Sequence, residues 1–325
     1  DMKQLIIHIG RHKSGTSTLQ KTLFLNRELL EEQGFYYPRT GIKGYGHHNI
    51  SESLSRKNIS KNSKTLIDLK NSLLLELADI DASNVIISSE AFQNCAPSDV
   101  AVFFEDFDVK IVVYVRNKLD YLVSSYCQKV HATNYAKPVE EFALTFKNLF
   151  YKDFIESWQK SFANISVNIF DRNTLIDGDI VKDFISKNLN FSIKYKEIEN
   201  ENNPSLQFAL TLLKLELNQL YPLETENPKI YHFLSNAAFK NKKNDTKMRL
   251  SNSTVAPLLA SWIKDDIWFA NFFQDAHSIM EYKAVGSENT FNFDLVTNIC
   301  NDMKNKFLFI EPKTVLERLE KKYVR

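Results

Sequence analysis

The sequence has little cysteine: Cys95, Cys127 and Cys300 are the 3 among 325 residues. No two stand at metal-binding or redox spacing. That argues against a disulfide scaffold or a zinc module and makes a reducing compartment, the cytoplasm, the expected location. It also lacks net charge, with 41 basic side chains against 40 acidic ones. Such a balance gives no long-range field to gather nucleic acid or an anionic surface, so any anion site must be local. No apolar run reaches the roughly 18 residues of a membrane span. The first strand pattern starts within a few residues of the beginning, so no signal peptide is expected. No internal repeat, no low-complexity tract and no cluster that requires a metal is present.

What remains is ordinary globular composition, 43% hydrophobic and 25% charged, enough for a substantial core. Four Val- and Ile-rich runs read as buried strands: Gln4–Ile9, Val85–Ser89, Val109–Val115 and Ile165–Phe170. Helical patterns fall between and around them at Thr16–Gln33, Lys64–Ala82, Lys118–Val130 and Tyr151–Phe162. Alternation of this kind predicts an α/β fold, a central parallel sheet flanked by helices. Residues 34–63 read as a long polar connection. Beyond about residue 204 the strand signal ends. Helices are expected over Ser205–Leu220, with Ser205 as N-cap, over aromatic-rich Thr254–Phe273, and in the charged tail Pro312–Arg325. The aromatic cluster at 262–273 reads as helix core rather than a stacking platform. The chain is therefore expected to form one domain over 1–325. Its α/β core would span 3–200, with a mainly helical part, 201–325, packed on it. The run from Lys240 to Arg249 carries five basic residues and one acid; it reads as a solvated loop, or as a segment that holds an acidic substrate.

The most informative stretch is residues 8–20, His-Ile-Gly-Arg-His-Lys-Ser-Gly-Thr-Ser-Thr-Leu-Gln. A strand, a glycine-containing loop and a helix start aim backbone N–H groups and the positive end of a helix dipole at an anion. Gly10 and Gly15 have Walker A spacing, but Thr16 and Ser17 follow where Lys and Ser or Thr are required, and the lysine sits earlier, at Lys13. A second pattern starts at the end of a strand, Arg116-x-x-x-Asp120-x-x-x-Ser124-x-Tyr126. An arginine at the carboxyl edge of a parallel strand stands where α/β proteins bind ligands, and its planar fork suits phosphate.

Together the two patterns resemble the 5′-phosphosulfate and 3′-phosphate motifs of sulfotransferases that use PAPS (3′-phosphoadenosine 5′-phosphosulfate). Gly34-Phe-Tyr-Tyr-Pro, Ser88-Ser-Glu and Asn203-Pro-Ser-Leu fit the bacterial carbohydrate-type branch of that family. The resemblance implies the P-loop-type sulfotransferase fold. It also implies transfer of a sulfuryl group from PAPS to a hydroxyl of a carbohydrate or glycolipid, with release of PAP (adenosine 3′,5′-bisphosphate). By the same resemblance Lys13 steadies the leaving group and Gly15, Thr16, Ser17 and Thr18 cradle the 5′-phosphate. Arg11, His12 and Ser14 complete the loop around the nucleotide, while Arg116 and Ser124 hold the 3′-phosphate. Many relatives carry proline two residues after the arginine; here Lys118 stands there. The implied partners are the nucleotide donor and a hydroxyl acceptor, with no nucleic acid and no metal; an oligomer is left open.

Glu90, at the carboxyl end of a strand beside the loop, is the first candidate for the base that takes the acceptor proton. His47 and His48, in the polar connection, are its competitors. His8, alternating with apolar residues, reads as a satisfied core histidine. Two other readings stand beside transfer of a sulfuryl group: a P-loop kinase or NTPase, with Glu90 in a Walker B role, and a non-catalytic nucleotide-binding module.

Overall fold

A computed structural model describes residues 2–11, 15–146, 149–189, 192–198, 208–241, 248, 250–282 and 291–324. In chain order the strands are β1 (Gln4–His8), β2 (Phe35–Tyr36), β3 (Asn84–Ser88), β4 (Asp108–Val115) and β5 (Asn164–Ile169). The helices up to β5 are α1 (Thr16–Leu25), α2 (Arg27–Glu31), α3 (His48–Leu54), α4 (Ser63–Ala78), α5 (Pro97–Phe103), α6 (Lys118–Ala132), α7 (Val139–Thr145) and α8 (Tyr151–Gln159). After β5 come α9 (Ile180–Asn188), α10 (Phe208–Leu220), α11 (Asn227–Lys240), α12 (Asn252–Phe272), α13 (Phe293–Lys306) and α14 (Pro312–Tyr323). Cys127 and the other two cysteines are free thiols. Among the described residues no helix is long and apolar enough to cross a membrane.

The chain divides into two compact units. Unit 1 comprises residues 1–118, 150–200 and 264–281. Its sheet has the order β2-β3-β1-β4-β5, with every pairing parallel. Burial on both faces explains the continuous apolar runs. Leu5, Ile7, Val85, Ile87, Ile111 and Val113 pack on one face with Ile50, Leu54, Leu73, Leu77 and Trp158. Ile6, Ile86, Val112 and Tyr114 pack on the other with Leu19, Leu23, Leu30, Val181 and Phe184. The link from β1 to β2 runs through α1 and α2, and the link from β4 to β5 through α8, so the crossovers flanking β1 and β4 lie on opposite faces. The loops therefore part at the carboxyl edge around β1, where open α/β sheets bind ligands.

Three details depart from the sequence reading. The expected helix 16–33 breaks at Asn26, whose side chain bonds both ways with the backbone of Lys196 at 3.0 and 2.7 Å. The polar connection 34–63 holds β2 and α3. Strand β1 ends at His8, although Ile9 still donates to Val112 O at 2.9 Å.

Unit 2 comprises residues 119–149, 201–263 and 282–325. Its described elements are helical, around a core of Leu213, Leu217, Ile230, Leu234, Val296, Met303, Val315 and Leu319. Within it, the fully buried ammonium of Lys214 donates to the carbonyls of Val130 and Thr133, near the end of α6. Cationic groups suit that end of a helix. Residues 205–207 and 325 of the expected helices lie outside the described residues, as do the Asn203-Pro-Ser-Leu match and residues 242–247 and 249 of the basic run.

Candidate active site

The turn after β1 is fixed by two glycines. At Gly10 a Cβ would lie 2.0 Å from Thr16 Cγ2, so a side chain there would push the helix start away. Gly15 opens α1 with φ 73°, a left-handed conformation that costs other residues about 1–2 kcal/mol. A Cβ at Gly15 would also approach the Phe170 ring to 2.8 Å. The N-cap Gly15 has no side chain with which to cap α1, and among the described residues none caps it and no acidic residue stands in its first turn; its first internal bond runs from Leu19 N–H to Gly15 O at 3.1 Å. Among the described residues, the backbone donors of Thr16, Ser17 and Thr18 begin this ten-residue helix without an oxygen partner. An anion at that end would satisfy them and meet the helix dipole. Thr16 is buried, Thr18 half-buried and Ser17 exposed. His12, Lys13 and Ser14 lie outside the described residues. Gly15→Ala combines backbone strain with the Phe170 contact. It is expected to lower stability by about 2 kcal/mol, as read by urea denaturation.

The two arginines have different surroundings. Arg11 is 1% exposed, with its guanidinium 5.0 Å from the Phe154 ring centroid and 5.9 Å from that of Tyr151. That is the setting of a cation–π contact. Arg116 is half-buried at the end of β4, 6.0 Å from the Phe170 ring centroid. Phe170 is the same ring that closes on Gly15, so Arg116 and the α1 N-terminus flank one side chain. Phe170 is pinned by its own N–H, which donates to Val115 O at 2.6 Å. Ser124 is half-buried on α6, in unit 2.

Beside β1, the end of β3 gathers the other candidates. Glu90 follows Ser89 directly, and its Oε2 accepts from Gln20 Nε2 of α1 at 2.9 Å. His48 Nε2 lies 3.9 Å from the same oxygen, with both side chains about one-fifth exposed. The other ring nitrogen of His48 meets Ser89 Oγ at 2.7 Å, and Ser89 Oγ meets Ser51 Oγ at 2.7 Å while accepting from Ala91 N–H at 3.2 Å. The serine pair thereby sets the His48 ring angle and leaves its Nε2 edge toward Glu90. A Cβ at Gly46 would come within 2.9 Å of both His48 Nε2 and the Gln20 amide, so the chain passes this pair as closely as glycine permits. Carboxylate, imidazole and amide converge on one spot, with a hydroxyl chain behind the imidazole.

His47 is held differently. Ser88 N–H donates to its Nδ1 at 3.1 Å, which places the ring proton on Nε2, and Nε2–H donates to Pro38 O at 2.9 Å. Both nitrogens are committed, and burial pulls its pKa down to about 4. The expectation that His47 competes as a base gives way to a role in fastening the 37–48 loop to β3. His8 is fully buried as expected. Its Nδ1 bonds Ser88 Oγ at 2.8 Å, while Nε2 has no hydrogen-bond partner among the described residues. Burial, opposed by the charge of Glu90, lowers its pKa to about 4.

Lys118 could not be interpreted from sequence. It is fully buried, bonded to Asp265 Oδ2 at 2.5 Å and to Asp266 Oδ1, and its ammonium lies 4.3 Å from the Tyr151 ring centroid. A run of charged residues at 264–266 in an otherwise aromatic helix was the one available hint of it.

No family model matches the chain. An uncharacterized protein of Archaeoglobus fulgidus is 29% identical over 140 residues, 42% of this chain and 38% of that protein, so the match spans well under half of that relative's length. Among solved structures, a sulfotransferase from Alicyclobacillus acidocaldarius aligns over 73% of this chain and 98% of its own, at 14% identity and a TM-score of 0.39.

Proposed function

We propose that unit 1 binds PAPS and transfers its sulfuryl group to a hydroxyl, which an acceptor of the carbohydrate or glycolipid class supplies. The observation that carries this reading is the N-terminus of α1 at the carboxyl edge of the sheet, opened by Gly15 and without a side-chain cap among the described residues, with the Glu90–His48 pair at the adjoining strand end. An anion-binding helix start next to a proton acceptor is what transfer of an anionic group to an alcohol needs. The motif resemblance adds the identity of the nucleotide and the role of Lys13. The backbone donors of Thr16, Ser17 and Thr18 would hold the 5′-phosphate. Arg116, sharing Phe170 with Gly15, would hold the 3′-phosphate. Glu90 takes the acceptor proton as the oxygen attacks sulfur and the bond to the phosphate oxygen breaks. His48, angled by Ser89, orients the acceptor hydroxyl. The departing group is PAP.

A thermal-shift comparison tests the donor. Saturating PAP is expected to raise the unfolding midpoint by several degrees, as binding to the folded state alone requires, and Mg-ATP to leave it unchanged. Stabilisation by Mg-ATP without any by PAP would instead support a P-loop kinase or NTPase. Sulfate transfer from PAPS to a panel of glycosides and simple alcohols then tests the chemistry and the acceptor class.

A further inference from the structure

The two residues of the turn that follows β4 and the first residue of α6 are fastened inside unit 1. Tyr151 Oη donates to Arg116 O at 2.6 Å. Asn117 Nδ2 donates to Ile279 O at 2.9 Å and to Glu281 O at 3.2 Å. Lys118 Nζ is held by Asp265 and Asp266. The fastenings are themselves joined. Asp265 accepts from the backbone N–H groups of Tyr151 and Lys152, both at 2.9 Å, and so fixes the start of α8 and with it the Tyr151 ring. Lys118 lies against one part of that ring's surroundings and Arg11 against another, at 4.3 and 5.9 Å from its centroid. A fully buried ammonium with paired carboxylates is not an economical way to stabilise a core, because desolvation offsets most of the attraction. Fixed geometry is what such a pair supplies when every partner is hydrogen-bonded.

We propose that Lys118, Asp265, Asp266 and Tyr151 form a clasp that sets the backbone of Arg116, so that selectivity for a 3′-phosphorylated nucleotide is governed by a segment far downstream in the chain. These four are positioning residues; Arg116 alone of this group touches the phosphate. The proposal rests on the nucleotide reading above. It goes beyond that reading by assigning a purpose to an ion cluster that has no direct part in transfer.

The test uses the full chain and two probes that differ only in the 3′-phosphate, PAP and adenosine 5′-monophosphate (AMP), titrated by calorimetry. Wild-type protein is expected to prefer PAP. Asp266→Asn, which leaves Lys118 paired with Asp265, and Tyr151→Phe, which deletes only the bond to Arg116 O, are expected to reduce that preference by about tenfold, with AMP affinity kept within about twofold. A purely structural cluster would weaken both nucleotides together or neither. Arg116→Ala is the reference and should abolish the preference. If Arg116→Ala abolishes it while both clasp variants, folded by circular dichroism, keep the wild-type preference, the clasp is refuted and the nucleotide reading stands. If Arg116→Ala itself leaves the preference intact, the 3′-phosphate assignment falls and the clasp with it. Lys118→Met combined with Asp265→Asn and Asp266→Asn removes every charge of the cluster at similar volume. Should either single variant fail to fold, loss of the PAP preference in this triple variant supports the proposal and its retention overturns it.

Discussion

Glu90→Gln is expected to lower kcat by about 10²–10⁴-fold, the usual worth of a positioned general base, while PAP affinity stays within about threefold. Glutamine keeps the shape of the carboxylate, and its amide oxygen still accepts from Gln20 Nε2, which now bonds Glu90 at 2.9 Å. What it loses is the ability to take a proton. His48→Asn should cost about tenfold, because an orienting group contributes less than the base it assists. The two outcomes are read from steady-state rates of sulfate transfer and from PAP titrations on the same preparations. A near-normal rate in Glu90→Gln with the large loss in His48→Asn would move the proton to His48. Its Nε2, 3.9 Å from Glu90 Oε2, occupies the same spot. Large losses of PAP affinity in either variant would mean that the pair serves the nucleotide rather than the acceptor. The Ser89–Ser51 hydroxyl chain behind His48 makes these variants more informative than a deletion. It holds the ring from its Nδ1 side, so substitution at Glu90 leaves the imidazole where it is.

The parallel core was legible because buried strands are written in runs of Val and Ile, and four of the sheet's five strands follow from them. The parts that escaped are those whose causes are not local. Strand β2 is two residues long and exists because Phe35 and Tyr36 pair with Asn84 and Val85. Helix α3 sends only Ile50, Ser51, Ser53 and Leu54 inward, too weak a pattern to stand out in a polar stretch. Its position depends on His47, whose backbone and ring both bond Ser88, 41 residues away. The aromatic cluster at 262–273 is helix core only in part. Trp262 and Phe269 are buried, Phe272 is 58% exposed, and the cluster is divided between the two units. The candidate residues were legible one strand end at a time. Gly15, Glu90 and Arg116 each follow an apolar run, and the sheet order brings those ends side by side. The supports behind them were not: Gln20 under Glu90, Ser89 behind His48, and above all Lys118, whose partner Asp266 lies 148 residues on. Arg11 has aromatic neighbours that its place in the loop did not suggest, Tyr151 and Phe154.

Unit 1 should lose stability steeply between pH 6.5 and pH 4.5, before most carboxylates titrate. The cause is a pair of buried histidines. In the folded chain His8 and His47 have their pKa values lowered from 6.5 to about 4, in both cases chiefly because burial disfavours the imidazolium. In the unfolded chain both titrate near 6.5. Between those values the unfolded state binds more protons than the folded state, so stability falls as pH falls. At about 1.36 kcal/mol per pH unit, the full interval is worth about 3 kcal/mol for each histidine, and about 6 kcal/mol for the two. That is a large share of the roughly 5–15 kcal/mol that holds a domain together. Glu76 adds its own acid sensitivity lower down. Burial pushes its carboxyl up, but hydrogen bonds from Thr40, Arg39 and Tyr36 outweigh that and hold it below its usual value, so its contribution is lost only as pH drops past the range to be measured. Urea denaturation at pH 7.5, 6.0, 5.2 and 4.5, followed by tryptophan fluorescence, reads the effect through Trp158, which is buried in the unit 1 core. His47→Gln provides the control, because a glutamine amide can accept from Ser88 N–H and donate to Pro38 O without titrating. It should start less stable at pH 7.5, through imperfect packing against Tyr37, yet lose only about half as much on acidification. Among the described residues His8 is hydrogen-bonded at one nitrogen, so His8→Asn should flatten the remaining slope at a smaller initial loss. Equal slopes in wild type and both variants would place the acid sensitivity in the carboxylates and remove the histidines from the account.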